Sequence, residues 1–406
     1  MITRTKLVTA MGAALFLLPM TQALAGVDFN AGDWKVDISG NVNAFYVNAG
    51  CDNGANTTVT GGLACTGNDS TAVRNGLLPA ALVFNATTRQ EGYDIGVTVG
   101  FYPGINSSAA SAVNGPGLPA ALQSPGIDAR QAFFTFGDAS WGTIKMGRDI
   151  GIFARDAILD DMTLLSVGSA QGNAAPSNTS LGRIGLGYIY TDWEPQITYT
   201  TPSYDGFSLS AGVFQPLSSL TDGYTRHDSP QFQAGASYAW GNAKNDEMTG
   251  KVWADVVSQK LKQDSGPQSF TGSAFDAGIK VGYAGFEGVL YGYTGSGVGT
   301  TGLYVLPVSA TGQKRDSSGG YAQLAYKTGK FKFGVSYGQS KLDLASDEVA
   351  VDNTLVKRNS STVGGIYYSL TPSVTLVGEY TNTESKAWNG NKATEDTFSL
   401  GGIIFF

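Results

Sequence analysis

Three carboxylates lie close together in the middle of the chain, at Asp156, Asp160 and Asp161. Clustered carboxylates suit binding of a hard cation such as calcium, acid–base hydrolysis of a glycoside, or an electrostatic field inside a pore. Their spacing does not fit the EF-hand loop, which needs ligands at alternating positions and a Glu at the twelfth. We therefore predict no metal site here, and the role of the acids depends on the fold that positions them.

Two further motifs contain residue types that are found in enzyme active sites. His227, Asp228 and Ser229 are the three residue types of a hydrolytic triad. A triad requires its side chains to point at one another, which three consecutive residues rarely do. Residues 297–302 (GVGTTG) fit the dinucleotide fingerprint, yet no helical pattern follows them, as that motif requires. We predict no cofactor and no catalysis, and a hydrolase that uses His227 remains as a third alternative.

Composition narrows the class of protein. Of 406 residues 55 are Gly, and only 15% are charged, against about 25% in an average soluble domain. The net charge is -7 and the pI is near 4.8, whereas nucleic-acid binding needs a clustered excess of Lys and Arg. Nucleic acid is therefore excluded as a partner, and the absence of a Pro-rich or charged linker indicates one large domain.

The first 25 residues read as a cleaved secretory signal peptide. Arg4 and Lys6 precede an apolar stretch, and Ala23-Leu24-Ala25 has the small-x-small form of a cleavage site. Removing both cations leaves 24 against 33 anions, a mature charge of 24 - 33 = -9. The exported domain is predicted as 26–406, and export permits a disulfide between its two cysteines, Cys51 and Cys65.

Apolar and polar residues alternate along most of the exported chain, as in residues 34–39 (WKVDIS), and a period of two indicates strands. Along the chain, short gaps between the alternating runs are followed by long gaps in a regular order. The pattern predicts sixteen strands, at 34–47, 79–89, 93–102, 128–137, 142–148, 195–202, 207–214, 231–240, 250–260, 273–283, 286–294, 319–328, 331–341, 359–370, 373–383 and 394–406.

A transmembrane antiparallel β-barrel explains both the alternation and the sorting of gaps into short turns and long loops. In lipid every backbone polar group needs a partner, so strands cross a membrane only as a closed sheet that is apolar outside and polar inside. We predict an all-β barrel of 16 strands, with 18 as the alternative. The segment 182–193 also alternates, and we assign it provisionally to the third long loop.

Two stretches resemble the general porins of the Gram-negative outer membrane. The last ten residues (TFSLGGIIFF) are similar to the strand that closes those barrels, with a terminal Phe after alternating apolar positions. Residues 141–151 (WGTIKMGRDIG), followed by Asp156-Ala157 and Asp161-Met162, resemble the fifth porin strand and the start of the loop that folds into the barrel. The resemblance implies an outer-membrane homotrimer whose inward loop, about 149–194, narrows the channel.

The resemblance also implies residue roles. By position, Arg148 becomes a cation of the pore constriction, and Asp156, Asp160 and Asp161 become the acids of the loop that faces it. The alternation independently supplies candidates for the pore lining, although the parity of one of them, Arg130, is ambiguous. These candidates are Lys35, Arg89, Arg130, Lys145, Lys280 and Glu379.

The predicted function is a passive, water-filled channel for small hydrophilic solutes and ions, with outer-membrane lipid and lipopolysaccharide as its surroundings. A substrate-selective channel for sugars or carboxylates is the alternative. It depends on aromatic side chains that would form a stacking path along the lumen, namely Phe45, Phe134, Phe214 and Trp253. The sign of any ion selectivity is left open at this point.

Overall fold

The computed structural model describes residues 26–105, 126–172, 178–219, 222–241 and 247–406. The predicted signal peptide, 1–25, lies outside these ranges. Their strands are β1 (Val27–Ala31), β2 (Trp34–Cys51), β3 (Ser70–Arg74), β4 (Ala81–Gln90), β5 (Tyr93–Pro103), β6 (Ile127–Asp138), β7 (Gly142–Ile150), β8 (Ser169–Gly172), β9 (Ser180–Gly182), β10 (Trp193–Thr200), β11 (Phe207–Phe214), β12 (Gln231–Trp240), β13 (Thr249–Lys262), β14 (Ser269–Tyr283), β15 (Phe286–Ser296), β16 (Asp316–Thr328), β17 (Phe331–Leu342), β18 (Val356–Ser369), β19 (Val374–Ala387) and β20 (Lys392–Phe405).

All of these strands except β1, β3, β8 and β9 form a closed antiparallel barrel. Each barrel strand pairs with the next along the chain, and β2 pairs with β20, for example Val42 with Ile404, to close the wall. The prediction of a sixteen-stranded barrel is confirmed, and each predicted strand coincides with one barrel strand. Closure leaves no sheet edge unpaired, as a membrane requires.

Two short strands that the alternation did not predict extend the pairing of β2. The strand β1 pairs with β2 from Trp34 to Ile38, below the point where β20 ends. The strand β3 pairs with β2 from Phe45 to Ala49, above the point where β4 ends. Together with β4 and β20, these two strands give β2 partners along most of its length on both sides.

The barrel is apolar outside and polar inside. Leucine, valine and aromatic side chains on the outward face are among the most exposed of the chain, with Leu290 and Val335 each 60% exposed. Polar side chains on the inward face, such as Asn43, Gln233 and Thr381, are buried. In water this arrangement would leave a large apolar surface uncovered, so lipid is the solvent that it fits.

Most connections at one end are tight turns, whereas those at the other end are long. In the turns between β4 and β5 and between β14 and β15, two consecutive residues have positive φ and the second is a glycine: Glu91 (50°) with Gly92 (86°), and Ala284 (49°) with Gly285 (84°). Positive φ at both positions matches the right-handed twist of the flanking strands. We call these the short-turn end and the long-loop end of the barrel.

The described part of the third long loop, residues 151–172 and 178–192, lies inside the barrel. It contains a short helix α1 (Arg155–Leu159), a 3₁₀ turn (Met162–Leu165) and the hairpin of β8 and β9. The segment 182–193 forms isolated bridges rather than a wall strand before β10 begins at Trp193. Its provisional assignment to this loop is confirmed, and the barrel count stays even.

The first long loop is closed by a disulfide. Cys51, at the end of β2, is bonded to Cys65, and their Cα atoms are 5.1 Å apart. The backbone N–H of Cys65 also donates to Oε2 of Glu395 on β20, at 2.8 Å. The loop is therefore held against the inner wall at the long-loop end.

No helix in the described ranges is both long and apolar enough to cross a membrane.

Candidate functional site: the loop inside the barrel

Inward side chains of the wall hold the first turn of the inner loop by its backbone. Gln233 on β12 accepts hydrogen bonds from the N–H groups of Ile152 and Phe153, at 2.6 and 2.9 Å. Asp276 on β14 accepts one from the N–H of Ala154 at 2.7 Å. Side-chain acceptors on the wall thus satisfy backbone donors that a buried loop would otherwise leave unpaired.

The same arrangement continues around the wall. Gln323 on β16 accepts from the N–H of Met162 at 2.7 Å and donates to the carbonyl of Asp160 at 3.0 Å. Glu379 on β19 accepts from the N–H of Gly168 at 2.7 Å. On β17, Gly338 leaves room for the returning strand of the loop, because a Cβ there would stand 2.5 Å from the carbonyl oxygen of Leu186. The loop is therefore fixed to the wall from β12 to β19.

The first two loop acids pair with lysines of the wall. Asp156 lies 2.5 Å from Nζ of Lys251 on β13, and Asp160 lies 2.8 Å from Nζ of Lys280 on β14. Lys280 also lies 3.3 Å from Glu287, which in turn lies 3.3 Å from Lys332 on β17. Positive and negative groups alternate along this network, which lies toward the short-turn end.

The third acid, Asp161, faces away from the other two. It caps the 3₁₀ turn by accepting from the N–H of Thr163 at 3.0 Å, and it accepts from the hydroxyl of Tyr188 at 3.0 Å. The guanidinium of Arg183 lies 3.7 Å away, and both charged side chains are fully buried. Because the three acids have different partners, they form no common site for a cation or for paired-carboxylate hydrolysis.

Burial distinguishes Asp160 from an ordinary surface carboxylate. Burial raises the pKa of Asp160, and the positive charge of Lys280 opposes that shift without cancelling it. The proton of this carboxyl group is therefore lost at a higher pH than is usual for aspartate.

The role expected for Arg148 at the constriction stays a prediction, and the register of β7 argues against it. Along β7 and β10, Arg148 is in register with Pro195, on the same face as Met146 and the exposed Ile197. The alternate positions, Lys145 and Asp149, point into the barrel. The position inferred from the resemblance is one residue out of phase with the pleat, and a one-residue shift moves a side chain to the opposite face of a sheet.

Two of the other pore-lining candidates, Lys145 and Glu379, point into the barrel, but only Lys145 is open to the lumen. Lys145 faces the lumen and pairs with Asp149, as Lys280 does with its acids. Glu379 also points inward, but it is only 2% exposed because the loop covers it, so it anchors the loop and does not line the water path.

The remaining candidates do not lie at the constriction. Arg130 is buried and binds Asp128 at 2.6 Å and Asn178 at 3.0 Å. Lys35 and Arg89 are more than half exposed at the short-turn end, where Lys35 pairs with Asp28 and Arg89 pairs with Asp94 and Asp138. These three cations therefore lie near the ends of the barrel.

The aromatic residues that motivated a substrate-selective channel do not form a stacking path. Phe45, Phe214 and Trp253 point inward but are at most 3% exposed. Phe45 and Trp253 are covered because they pack in clusters with residues of the inner loop. Phe134 is 44% exposed on the outward face. No ring of this set therefore presents its face to a solute in the lumen.

The two enzyme-like motifs lie in long loops without the required partners. Nε2 of His227 is 3.2 Å from Oγ of Ser218, and burial lowers the pKa of this histidine. Asp228 pairs with Lys262 instead of orienting the imidazole. Residues 297–302 lie between β15 and β16 and are followed by irregular chain, not by a helix, so the fingerprint lacks its context.

Sequence reasoning missed several residues of the inner network. Lys251 lies on the same face as Trp253, and Lys332 lies between the outward Phe331 and Phe333, so the period of two contained the signal for both. Arg183 lies in an irregular segment, where no periodicity indicates a direction. Its contact with Asp161 depends on the folding of the loop.

A family model described as Gram-negative porin matches residues 13–387. Comparison by sequence with curated proteins gives no match. The fold is similar to the outer membrane channel DcaP of Acinetobacter baumannii (16% identity, TM-score 0.68, 94% of this chain and 100% of that chain). It is also similar to the anion-selective porin from Comamonas acidovorans (11%, 0.59, 92% and 100%) and to a trimer form of OmpT, an outer membrane protein of Vibrio cholerae (12%, 0.54, 92% and 100%). At these identities the structural likeness concerns the fold alone.

Proposed function

The chain belongs to the Gram-negative porin family and is an outer-membrane channel, and from this premise we propose that it conducts small hydrophilic solutes passively with a preference for anions. The family and the fold indicate a channel rather than an enzyme. The long loops face the outside of the cell and the short turns face the periplasm, as in barrels of this class. In this proposal residues 1–25 direct export and are then removed, and the mature chain 26–406 is the barrel domain.

The passive character follows from how the inner loop is held. Its backbone is bonded to Gln233, Asp276, Gln323 and Glu379 on four different wall strands. A loop fixed at that many points narrows the lumen to a constant opening, which sets a size limit without a gating step. The assembly that we propose is a homotrimer, in keeping with the trimer form of the Vibrio cholerae relative.

The preference for anions rests on one observation about the lumenal ion pairs. In four of the five lumenal pairs the amine is more exposed than the carboxylate, and the exception is Lys280 (16%) with Glu287 (20%). Water and solutes in the lumen therefore meet positive charge first at four of the five pairs. The charges nearest to a passing ion dominate the ion selectivity of the channel, since salt screens more distant charges within about 8–10 Å. The exposed fractions are 33% and 12% for Lys251 and Asp156, 28% and 20% for Lys332 and Glu287, 18% and 5% for Lys145 and Asp149, and 16% and 12% for Lys280 and Asp160.

The passive channel is tested by recording the current of the purified protein in a planar bilayer. We expect discrete steps that stay open and scale linearly with salt concentration, in groups of three for a trimer. Current that saturates with one sugar or carboxylate would indicate a binding channel instead. Folded barrels that give no steps would contradict the proposal.

Lowering the pH is expected to strengthen the preference for anions. Protonation of Asp160 removes one negative charge from the lumen, and because its pKa is raised this occurs above the ordinary aspartate value of about 3.9. The reversal potential across a salt gradient, measured at successive pH values, reports the change. In Asp160→Asn this part of the pH dependence should disappear. An identical pH profile in the variant would exclude Asp160 as its source.

A further inference from the structure

A cavity lies at the short-turn end of the barrel, between the wall and the inner loop. Its volume is about 440 Å³, which is in the range of pockets that hold small molecules. We call this cavity the vestibule. The strands β13 to β19 and the inner loop contribute to its lining, which includes Leu165, Ala325, Lys327, Lys332, Tyr367 and Thr375.

Two lysines face each other across neighbouring strands of the vestibule. Lys327 on β16 is directly in register with Lys332 on β17, and both line the cavity. Like charges that are directly opposite on adjacent strands repel one another. Glu287 lies 3.3 Å from Lys332, whereas the exposed Lys327 forms no ion pair within the described part of the chain. The two amines therefore lack a negative charge that a bound anion would supply.

The other charged groups leave the vestibule positive. Its lining contains three lysines, Lys327, Lys330 and Lys332, and two glutamates, Glu247 and Glu287, an excess of one positive charge (3 - 2). Glu287 also pairs with an amine deeper in the barrel, at 3.3 Å, so it neutralises the vestibule only in part. An anionic group is the complement of this charge distribution.

A hydroxyl without a partner belongs to the same lining. Thr375 on β19 is 1% exposed, and its hydroxyl has no hydrogen-bond partner among the described residues. On the intervening strand β18, Tyr367 is in register with Lys332 and Ser369 with Thr375. Strands that are two apart are separated by about 10 Å, which a lysine side chain and one tetrahedral anion span together. A buried hydroxyl without a partner costs free energy, and an anion oxygen that accepts from it removes that cost.

We infer that the vestibule binds the phosphate group of a small solute, free or esterified. At neutral pH a phosphate carries more negative charge than a carboxylate, and it has three strong acceptor oxygens. The amines of Lys327 and Lys332 bind it as point charges, and Thr375 donates a hydrogen bond. Leu165 and Ala325 line the remaining space, which the organic part of an ester occupies. The inference rests on the proposed anion channel and adds to it a class of solute and a place of binding.

The test compares the wild-type protein with Lys327→Gln/Thr375→Val. Calorimetric titration of the purified, detergent-solubilised protein in a neutral buffer of low chloride measures the binding of inorganic phosphate, methyl phosphate and acetate. We expect the double variant to bind both phosphates at least roughly tenfold more weakly, since one hydrogen bond to a charged group is worth about that factor. The wild type should bind acetate more weakly than either phosphate. Lys260→Gln removes the same charge from the outward face of β13, where Lys260 is exposed, and should bind like the wild type.

Thr375→Val alone separates the binding site from the general charge of the lumen, because it removes the hydroxyl and changes no charge. We expect weaker phosphate binding and a reversal potential in potassium chloride equal to that of the wild type. Exclusive binding of inorganic phosphate, or tighter binding of methyl phosphate, would distinguish the free ion from the ester as the solute, and either result supports the inference. Equal phosphate binding by the double variant and the wild type would overturn it, as would acetate binding as tight as that of phosphate.

Failure of the proposed function gives a different result. A reversal potential of the sign that cation movement produces would contradict the anion channel, whatever the affinity for phosphate. Unaltered phosphate binding in the double variant, together with a potential of the sign that chloride movement produces, would overturn the vestibule site alone.

Discussion

Replacing Lys251 and Lys332 by glutamate is expected to reverse the sign of the reversal potential, from anion preference to cation preference. The double substitution changes the lumenal charge by four, at the two most exposed amines of the inner network. It also places carboxylates beside Asp156 and Glu287, and the like charges repel one another at short range. The measurement is the zero-current potential of the variant in a planar bilayer under a salt gradient.

Lys260→Glu provides the control for this charge reversal. Lys260 lies on β13 like Lys251, but on its outward face, and it is exposed. Its substitution changes the net charge of the protein without changing that of the lumen, so the reversal potential should remain that of the wild type. A double variant that still prefers anions would show that Lys251 and Lys332 do not govern selection.

The second large effect is expected for Asp161→Ala. This substitution leaves the fully buried guanidinium of Arg183 without its nearest carboxylate and removes the cap of the 3₁₀ turn. Breaking a buried ion pair from one side costs about 3–5 kcal/mol, and here the cost falls on the inner loop, not on the barrel ladder. We expect the loop to leave the wall, which gives larger and noisier single-channel steps.

Asp161→Asn separates the two contributions of this side chain. An amide oxygen can still accept from the N–H of Thr163, but it no longer neutralises Arg183, so an intermediate increase in current noise is expected. Limited proteolysis of the folded barrel reports the same event, because a released loop exposes its backbone. Steps and proteolysis identical to those of the wild type in Asp161→Ala would contradict the role that we assign to the pair.

The wall of the barrel was predictable because its signal is local and repeated. Every barrel strand carries a period of two, and lipid imposes that period from one end of the chain to the other. The short β1 and β3 were missed because five residues contain too few alternations to be distinguished from a loop. The loop-side ends of β18, β19 and β20 extend beyond the predicted boundaries because those residues lie above the apolar band, where outward side chains are charged.

The candidate site was only partly predictable. Asp156, Asp160 and Lys280 were identified and are brought together, but Arg148 was placed by resemblance and not by the pleat. On one regular strand Lys145 and Arg148 cannot both face the lumen, since they are three residues apart. Had the alternation been applied consistently, it would have argued against Arg148 and selected Lys251 and Lys332. The pair of Asp161 and Arg183 depends on loop folding, which no local pattern encodes.

The central claim is that amines, not carboxylates, control the water path through the barrel. The reversal potential of the wild-type protein in a planar bilayer under a potassium chloride gradient tests it most directly. The account predicts a potential of the sign that chloride movement produces, despite the mature net charge of -9 (24 - 33). A potential of the opposite sign would show that the loop acids dominate the lumen and would contradict the account.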